Sequence, residues 1–537
     1  MAGRHLLTAQ SLMESSCVRH NLIPGTSKLF EDFLYNFDRV SRFYPHYFSD
    51  PTALRESVSQ IRYPESRRTQ LVAALREENP DSEALDILAK REAVAVVTGQ
   101  QVGLFSGPAY TVFKALTAVR LAAHLKDQGI PAVPVFWLAT EDHDLAEVDH
   151  AWVFNQDAVP AKIAVTSSVV NGGPVGDVIL NELPWAQLHD ALGDLPFAID
   201  VIRRLRSAYQ PGVTFGHAFR RFLQDILSGC GLVYLDPLSP AIRQIAAPFL
   251  ADAVTRLPEL LPSLQQRNAE LLAAGYHAQV QVEDDSSLLF LLNEGKRIPI
   301  RWNDGRFTSR DRSYSVSDLQ AAADRLSPNA LLRPVMQDFL LPTASYVGGP
   351  SEVAYMAQAE VLYDQLLGRM PVIFPRNSFT LLDAKAAKLL DRYGMHLPDI
   401  LDHQEAVKSR IARRLVPEDL SEQFQSLISS TEHALVDLRA RLSRFDPTLE
   451  SASKKTAAKI LYQMNRLSQK TAREALRRDE RASQEASYLI DLIYPHRHLQ
   501  ERLYSIVPFL AKYGLDLPER LLGLTQLACP DHMVRIV

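Results

Sequence analysis

Between residues 93 and 138 two short apolar runs flank one long helical pattern, and this arrangement narrows the possible folds more than any other part of the chain. The first run, Ala93-Val94-Ala95-Val96-Val97, consists of small and β-branched residues with no polar alternation, as a strand buried on both faces requires. A glycine-rich turn follows, and the spacing then predicts a helix over 109–125. A second apolar run covers 133–138. Strand, helix and strand in that order form a βαβ unit, whose natural home is an α/β doubly wound parallel sheet. The alternation resumes at 231–235, and further strand-to-helix junctions are expected after 344–347 and 372–374. Short strands are expected at 277–282, 288–292 and 298–302, the last ending in an Asn303-Asp304-Gly305 hairpin turn.

A chain of 537 residues carries an expectation of about three to four domains. Residues 1–154 read as N-terminal helices and the first half of the core. In the N-terminal helices, Phe30, Phe33, Leu34 and Phe37 mark a buried face. Residues 155–230 read as a connecting insertion, with turn punctuation at Asn171-Gly172-Gly173-Pro174. Residues 231–384 read as the second half of the core with a small β insertion, 385–500 as a helical domain and 501–537 as a C-terminal segment. Within the helical domain, Leu420, Phe424, Leu427, Thr431, Ala434, Leu438 and Leu442 step by threes and fours. After the break at Asp446-Pro447, Ala457, Ile460, Met464, Leu467, Thr471 and Ala475 do the same, so an antiparallel coiled-coil hairpin is expected. Its charged outer face, including Arg477, Arg478 and Glu480, suits a projecting arm, and its stripe is long enough to serve a homodimer.

A net charge of −5 argues against a generally basic nucleic-acid or membrane-surface binder. No apolar run approaches the ~20 residues of a membrane helix, and the first residues lack the apolar core of a secretory signal. Cys17, Cys230 and Cys529 lie far apart without a CxxC, so neither a disulfide framework nor a zinc cage is implied; lone thiols suit a reducing, cytoplasmic setting.

In doubly wound sheets ligands bind beyond the carboxyl ends of the strands, so the candidate site residues are those at the junctions. The first junction, 98–108, offers Gly99, Gln100, Gln101 and Gly107, with Pro108 at a helix start whose free N–H groups would suit an anion. On the helix after it, Tyr110, Lys114 and Thr117 lie opposite the apolar face, so Lys114 is either solvated or covered by another part of the chain. The second junction is Glu141-Asp142-His143-Asp144, four ionisable groups at a strand end, with Asp142 or His143 the candidate for proton transfer. The third, Gly348-Gly349-Pro350-Ser351-Glu352, repeats the Gly-Pro helix start and places Glu352 and Tyr355 one turn apart. The fourth, Arg376-Asn377-Ser378, offers an arginine fork for a carboxylate or phosphate and a serine that suits a helix cap.

The segments VVTGQQVGLFSGPAYTVFKA, PVFWLATEDHDLAEVDH, LLRPVMQDFLLPTASYVGGPSEVAYMAQ and PVIFPRNSFTLLD, in this order and spacing, resemble the bacillithiol biosynthesis cysteine-adding enzyme family over essentially the whole chain. The resemblance implies a Rossmann-like core with two connecting insertions and a C-terminal coiled-coil domain used for dimerisation. It also implies a ligase that joins L-cysteine to the amino group of glucosaminyl malate. Gln100 and Gln101 stand where class I synthetases carry a histidine motif, and no KMSKS-like loop follows, so adenylate formation is not carried over.

An amide formed from a free carboxylate needs activation, most simply by ATP, so ATP or ADP with accompanying Mg2+ is the expected cofactor. Under this reading Asp142 or His143 takes the ammonium proton, while glycine N–H groups and Lys114 stabilise developing charge. Arg376, with Arg333 as a second candidate, holds the malate carboxylates, and Glu352 accepts from the ammonium or sugar hydroxyls. Two other readings stay open: a nucleotidyl- or acyl-transferase on another small metabolite, and a non-catalytic, nucleotide-binding dimeric scaffold.

Overall fold

A computed structural model describes residues 16–165, 172–303, 305–309, 312–402 and 404–537. The first fifteen residues, in which no secretory core was expected, Asn171 of the first expected turn and Asp304 of the hairpin turn lie outside the described residues.

Five strands form the central sheet: β1 (Val94–Gln101), β2 (Ala132–Ala139), β3 (Val233–Leu235), β4 (Thr343–Gly348) and β5 (Val372–Pro375). They lie in the order β5-β4-β1-β2-β3, all parallel, so the strand order reverses between β1 and β4. Nearly every residue of these strands is buried, which explains why the sequence shows apolar runs rather than alternation. Helix α1 (Tyr110–Asp127) crosses from β1 to β2. Helices α2 (Pro240–Ala273), α3 (Arg333–Leu340) and α4 (Pro350–Leu367) follow β3, precede β4 and follow β4 respectively. The core divides into two apolar clusters: Val112, Leu116, Phe136 and Leu138 belong to one, and Val96, Val254, Val347 and Ala357 to the other. The fold is the doubly wound one expected, with a helical coiled-coil region behind it.

Between α2 and α3 a five-stranded antiparallel sheet is built from residues 286–328. The hairpin expected at 303–305 is present, with Asn303 opposite Arg306. The expected strand at 277–282 is not. There the Gln358 side chain of α4 accepts from the Val280 N–H and donates to its carbonyl, each at 2.9 Å, satisfying the backbone in place of a neighbouring strand. The junction after β5 also differs from expectation, because the chain enters another strand, Ser378–Leu382, rather than a helix. That strand runs parallel to His532–Ile536, which pairs antiparallel with Ser16–Val18, so both described ends of the chain meet beside the core.

The coiled-coil hairpin consists of α5 (Glu418–Phe445) and α6 (Leu449–Arg478), broken at Asp446-Pro447 as the sequence indicates. The expected stripe is inward only in part. Phe424, Ile428, Thr431, Leu435 and Leu442 on α5 and Ala457, Leu461 and Met464 on α6 are half-buried, whereas Leu427, Leu438, Ile460 and Leu467 are exposed. Among the described residues no helix is long and apolar enough to cross a membrane.

Candidate functional site

The carboxyl ends of β1, β2, β4 and β5 open into one cavity of about 580 Å³ at the point where the strand order reverses. From the expected set, Gly99, Gln100, Gln101, Tyr110, Lys114, Asp142, Gly349, Glu352, Tyr355 and Arg376 line it. Residues more than 230 positions apart are thus brought to one crevice by parallel strands.

Lys114 is covered, with only 3% of its side chain exposed. One helical turn past Tyr110, its ammonium reaches back to the end of β1 and donates to the Gly99 carbonyl at 3.0 Å and Gln100 Oε1 at 2.9 Å. It also forms an ion pair with Glu352. Burial pushes the Lys114 ammonium below its ordinary value, against the pull of Glu352. Burial alone would raise the Glu352 carboxyl, but Lys114, the Gly349 N–H at 2.7 Å and the Tyr346 hydroxyl at 2.6 Å outweigh it and hold the group below its usual range. Glu352 is therefore an ionised anchor, held by Lys114, the Gly349 N–H and the Tyr346 hydroxyl.

At the end of β2 the four ionisable residues separate. Glu141 turns inward and accepts from Arg243 of α2 at 2.9 Å; burial nevertheless pushes its carboxyl up. Asp142 lines the cavity. Its Oδ2 accepts from Gln101 Nε2 at 2.5 Å, and its Oδ1 from the His143 N–H at 2.7 Å. Among the described residues no lysine or arginine lies within 4 Å of it; the exposed His143 imidazole stands 3.7 Å away, and Arg297 acts on it from further off. His143 and Asp144 are exposed and outside the cavity lining, though the His143 ring sits on its rim, with Nδ1 3.3 Å from Arg297 and the ring 5.9 Å from that of Phe290. Gln101 bridges Asp142 and Glu147, donating to the latter at 3.0 Å.

The fourth junction is mostly structural. Arg376 reaches the cavity, but its guanidinium donates to Glu501 at 2.6 Å in a buried pair, so its fork is already occupied. Asn377 is consumed by Thr117 and by the Gln526 backbone. Ser378 caps no helix: its hydroxyl donates to Glu501 and lies 2.5 Å from His532 Nδ1. Neither Asn377 nor Ser378 lines the cavity.

The glycines of the first turn likewise serve packing. A Cβ on Gly99 would lie 2.8 Å from the Trp137 carbonyl, and one on Gly103 would lie 2.9 Å from Gly107 Cα. Gly107, at φ +63°, lines a smaller adjoining cavity of about 330 Å³ rather than the main one. The helix start expected to bind an anion is partly spoken for, since the Ala109 N–H donates to the Tyr504 carbonyl at 2.7 Å.

Three further arginines complete the lining with no carboxylate within 4 Å among the described residues, although Glu141 and Asp142 act on Arg297, and Glu352 on Arg333, from further off. Arg333 of α3 donates to the Tyr355 hydroxyl at 3.0 Å, and its guanidinium is held above its ordinary value by Tyr355, Tyr346 and Glu352 despite burial. Arg297 comes from the antiparallel sheet, stacks 3.8 Å from the Phe290 ring centroid and donates to Ser327 and the Pro328 carbonyl. Arg502 comes from the C-terminal segment and stands between the two cavities. Trp137, also in the lining, has an indole N–H without a hydrogen-bond partner among the described residues. Arg297, Arg502 and Trp137 had no motif to announce them: the first two arrive from elements outside the core, and the third sits within an apolar strand.

The arrangement combines guanidinium groups suited to a polyanion with one carboxylate, Asp142, that has no lysine or arginine within 4 Å among the described residues. Comparison with known proteins agrees with this architecture. Residues 13–377 match the family model described as "Bacillithiol biosynthesis BshC, N-terminal Rossmann-like domain", and residues 379–535 its "C-terminal coiled-coil domain". Proteins named "Putative cysteine ligase BshC" are similar along nearly their full length. The one from Solibacter usitatus is 48% identical over 98% of this chain and 100% of its own. That from Koribacter versatilis is 38% identical over 97% and 99%, and that from Salinibacter ruber 32% over 90% and 92%. With both domains matched and relatives of this coverage, the chain belongs to the BshC family of bacillithiol biosynthesis.

Proposed function

We propose that the protein is a cysteine ligase that joins L-cysteine to the amino group of glucosaminyl malate at the expense of a nucleotide, in the cavity at the strand-order reversal. The observation that carries this reading is the meeting of Arg297, Arg333 and Arg502, none within 4 Å of a carboxylate among the described residues, in one cavity with Asp142. Guanidinium forks match phosphate and dicarboxylate alike, so the lining suits both a nucleotide and a malate.

The residues fit a nucleotide. The cavity volume falls within the range of small-molecule sites. Tyr110, Phe290 and Tyr355 supply rings, and the Trp137 indole N–H is a donor still to be satisfied. Arg297 and Arg502 would hold the phosphates. ATP, when bound, supplies the activation that a free cysteine carboxylate lacks, and Mg2+ travels with its phosphates.

The chain's own part is positioning and proton transfer. Asp142 accepts the proton that the amino sugar's ammonium must lose before its nitrogen can attack, and Gln101 holds the carboxylate in place. Arg333 orients the malate carboxylates, because Arg376 is committed to Glu501. Lys114 and Glu352 form the fixed floor that ties α1 to α4. His143, on the rim, is not the base. Incubating the purified protein with glucosaminyl malate, cysteine and ATP should yield the cysteinyl amide by mass spectrometry, with none formed when ATP is omitted. Absence of product with all three present contradicts the reading.

The exposed stripe of Leu427, Leu438, Ile460 and Leu467 supports a second copy of the chain packing on the hairpin to form a homodimer.

A further inference from the structure

Two cysteines separated by 512 positions meet at the surface seam where the ends of the chain come together. Cys17 lies in the strand Ser16–Val18, and Cys529 lies three residues before the strand His532–Ile536 that pairs with it. Their Sγ atoms are 3.6 Å apart, with Cys17 exposed and Cys529 half-buried. Sequence spacing alone implied no pairing, because the contact is made by strand register between opposite ends of the chain. The third cysteine, Cys230, stands apart, packed against the apolar core.

We propose that Cys17 and Cys529 form a reversible thiol–disulfide site that exchanges with small-molecule disulfides, of which oxidised cysteine (cystine) is the simplest. A protein disulfide needs its sulfurs about 2.05 Å apart. The two Sγ atoms are 3.6 Å apart, so forming the bond asks for a further approach of about 1.5 Å. In the first step the Cys17 thiolate attacks one sulfur of cystine, its S–S bond breaks, and one cysteine leaves as thiolate. In the second, the Cys529 thiol loses its proton and displaces the other cysteine from Cys17. Two protein thiols are oxidised to one disulfide, and one cystine is reduced to two cysteines.

The order follows from access. Cys17 faces solvent, whereas burial and the neighbouring Cys17 push the Cys529 thiol up to about 11, so Cys529 is the resolving partner. The bond would fasten the strand Ser16–Val18, which His20 follows, to the strand His532–Ile536, closing nearly the whole chain into one loop.

The test uses the full-length protein and cystine at neutral pH, followed by alkylation and peptide mapping. Two of three thiols should disappear into a Cys17–Cys529 linkage, with Cys230 alkylated, and dithiothreitol should restore both. The Cys529→Ser variant should retain a cysteine adduct on Cys17. The thermal midpoint should rise by a few degrees on oxidation of the wild type and should not move in Cys17→Ser, whose exposed position leaves folding intact. Stable adducts on wild-type Cys17 without linkage, or both thiols remaining free after exposure to cystine, would overturn the proposal.

Discussion

Replacing Lys114 by methionine would strand the Glu352 carboxylate in a buried site with its principal countercharge gone. Breaking a buried pair from one side typically costs about 3–5 kcal/mol, whereas replacing both partners is far milder. Urea unfolding should therefore show a large loss for Lys114→Met and partial recovery in Lys114→Met/Glu352→Gln. A double variant as unstable as the single one would mean that the pair is not coupled. The position of Lys114 opposite the apolar face was legible in the sequence. Its burial was not, because the covering carboxylate comes from α4, almost 240 residues later. The same holds for Arg376, whose side-chain type suggested an anion clamp until Glu501 was seen to occupy it. At this scale residue type indicates what a side chain can bind, and only the fold shows what has already bound it. Arg333→Ala should chiefly raise the glucosaminyl malate concentration needed for half-maximal rate, and Arg376→Ala should chiefly lower stability, as steady-state kinetics and melting would separately show.

Among the elements, the five core strands were readable as apolar runs because burial on both faces removes alternation. The segment at 277–282 shows the limit of that signal: its composition suits a strand, yet one glutamine side chain satisfies its backbone instead. In the coiled-coil hairpin the period of three and four was legible, but two neighbouring stripes share it, and leucines occupy both. The stripe expected to face the partner helix is in part the exposed one, with Leu427 56% and Leu467 58% exposed. That exposed stripe is where the proposed second copy would pack. Deleting residues 418–478 across a short linker should shift the protein from dimer to monomer in analytical ultracentrifugation. A full-length chain that sediments as a monomer at micromolar concentration would contradict the assembly.

Across the whole molecule, the seam that joins the two ends of the chain to the core carries a pH dependence. Burial lowers His20 to about 3 and His532 to about 4, and Glu501 is held at about 2 by Arg376 against its burial. Below about pH 6.5 the unfolded chain takes up protons that the folded imidazoles refuse, so stability falls with pH through that window. The Glu501 contribution is complete above its unfolded value near 4.5 and is lost as pH drops from there towards about 2. Melting curves should therefore show a midpoint that declines from pH 7 to pH 4, with a shallower slope in His532→Asn. An unchanged slope would mean that the buried imidazole is not the cause. The same fold gathers the candidate site residues at the strand-order reversal, with Asp142 in the cavity lining and its neighbour His143 outside it. The most direct measurement is the turnover number of Asp142→Asn and His143→Ala, side by side, at saturating glucosaminyl malate, cysteine and ATP. Asp142→Asn should lose about 10²–10⁴-fold with its melting temperature nearly unchanged, and His143→Ala should stay within about threefold of wild type. Near-normal turnover in Asp142→Asn, or a comparable collapse in His143→Ala, would contradict the account.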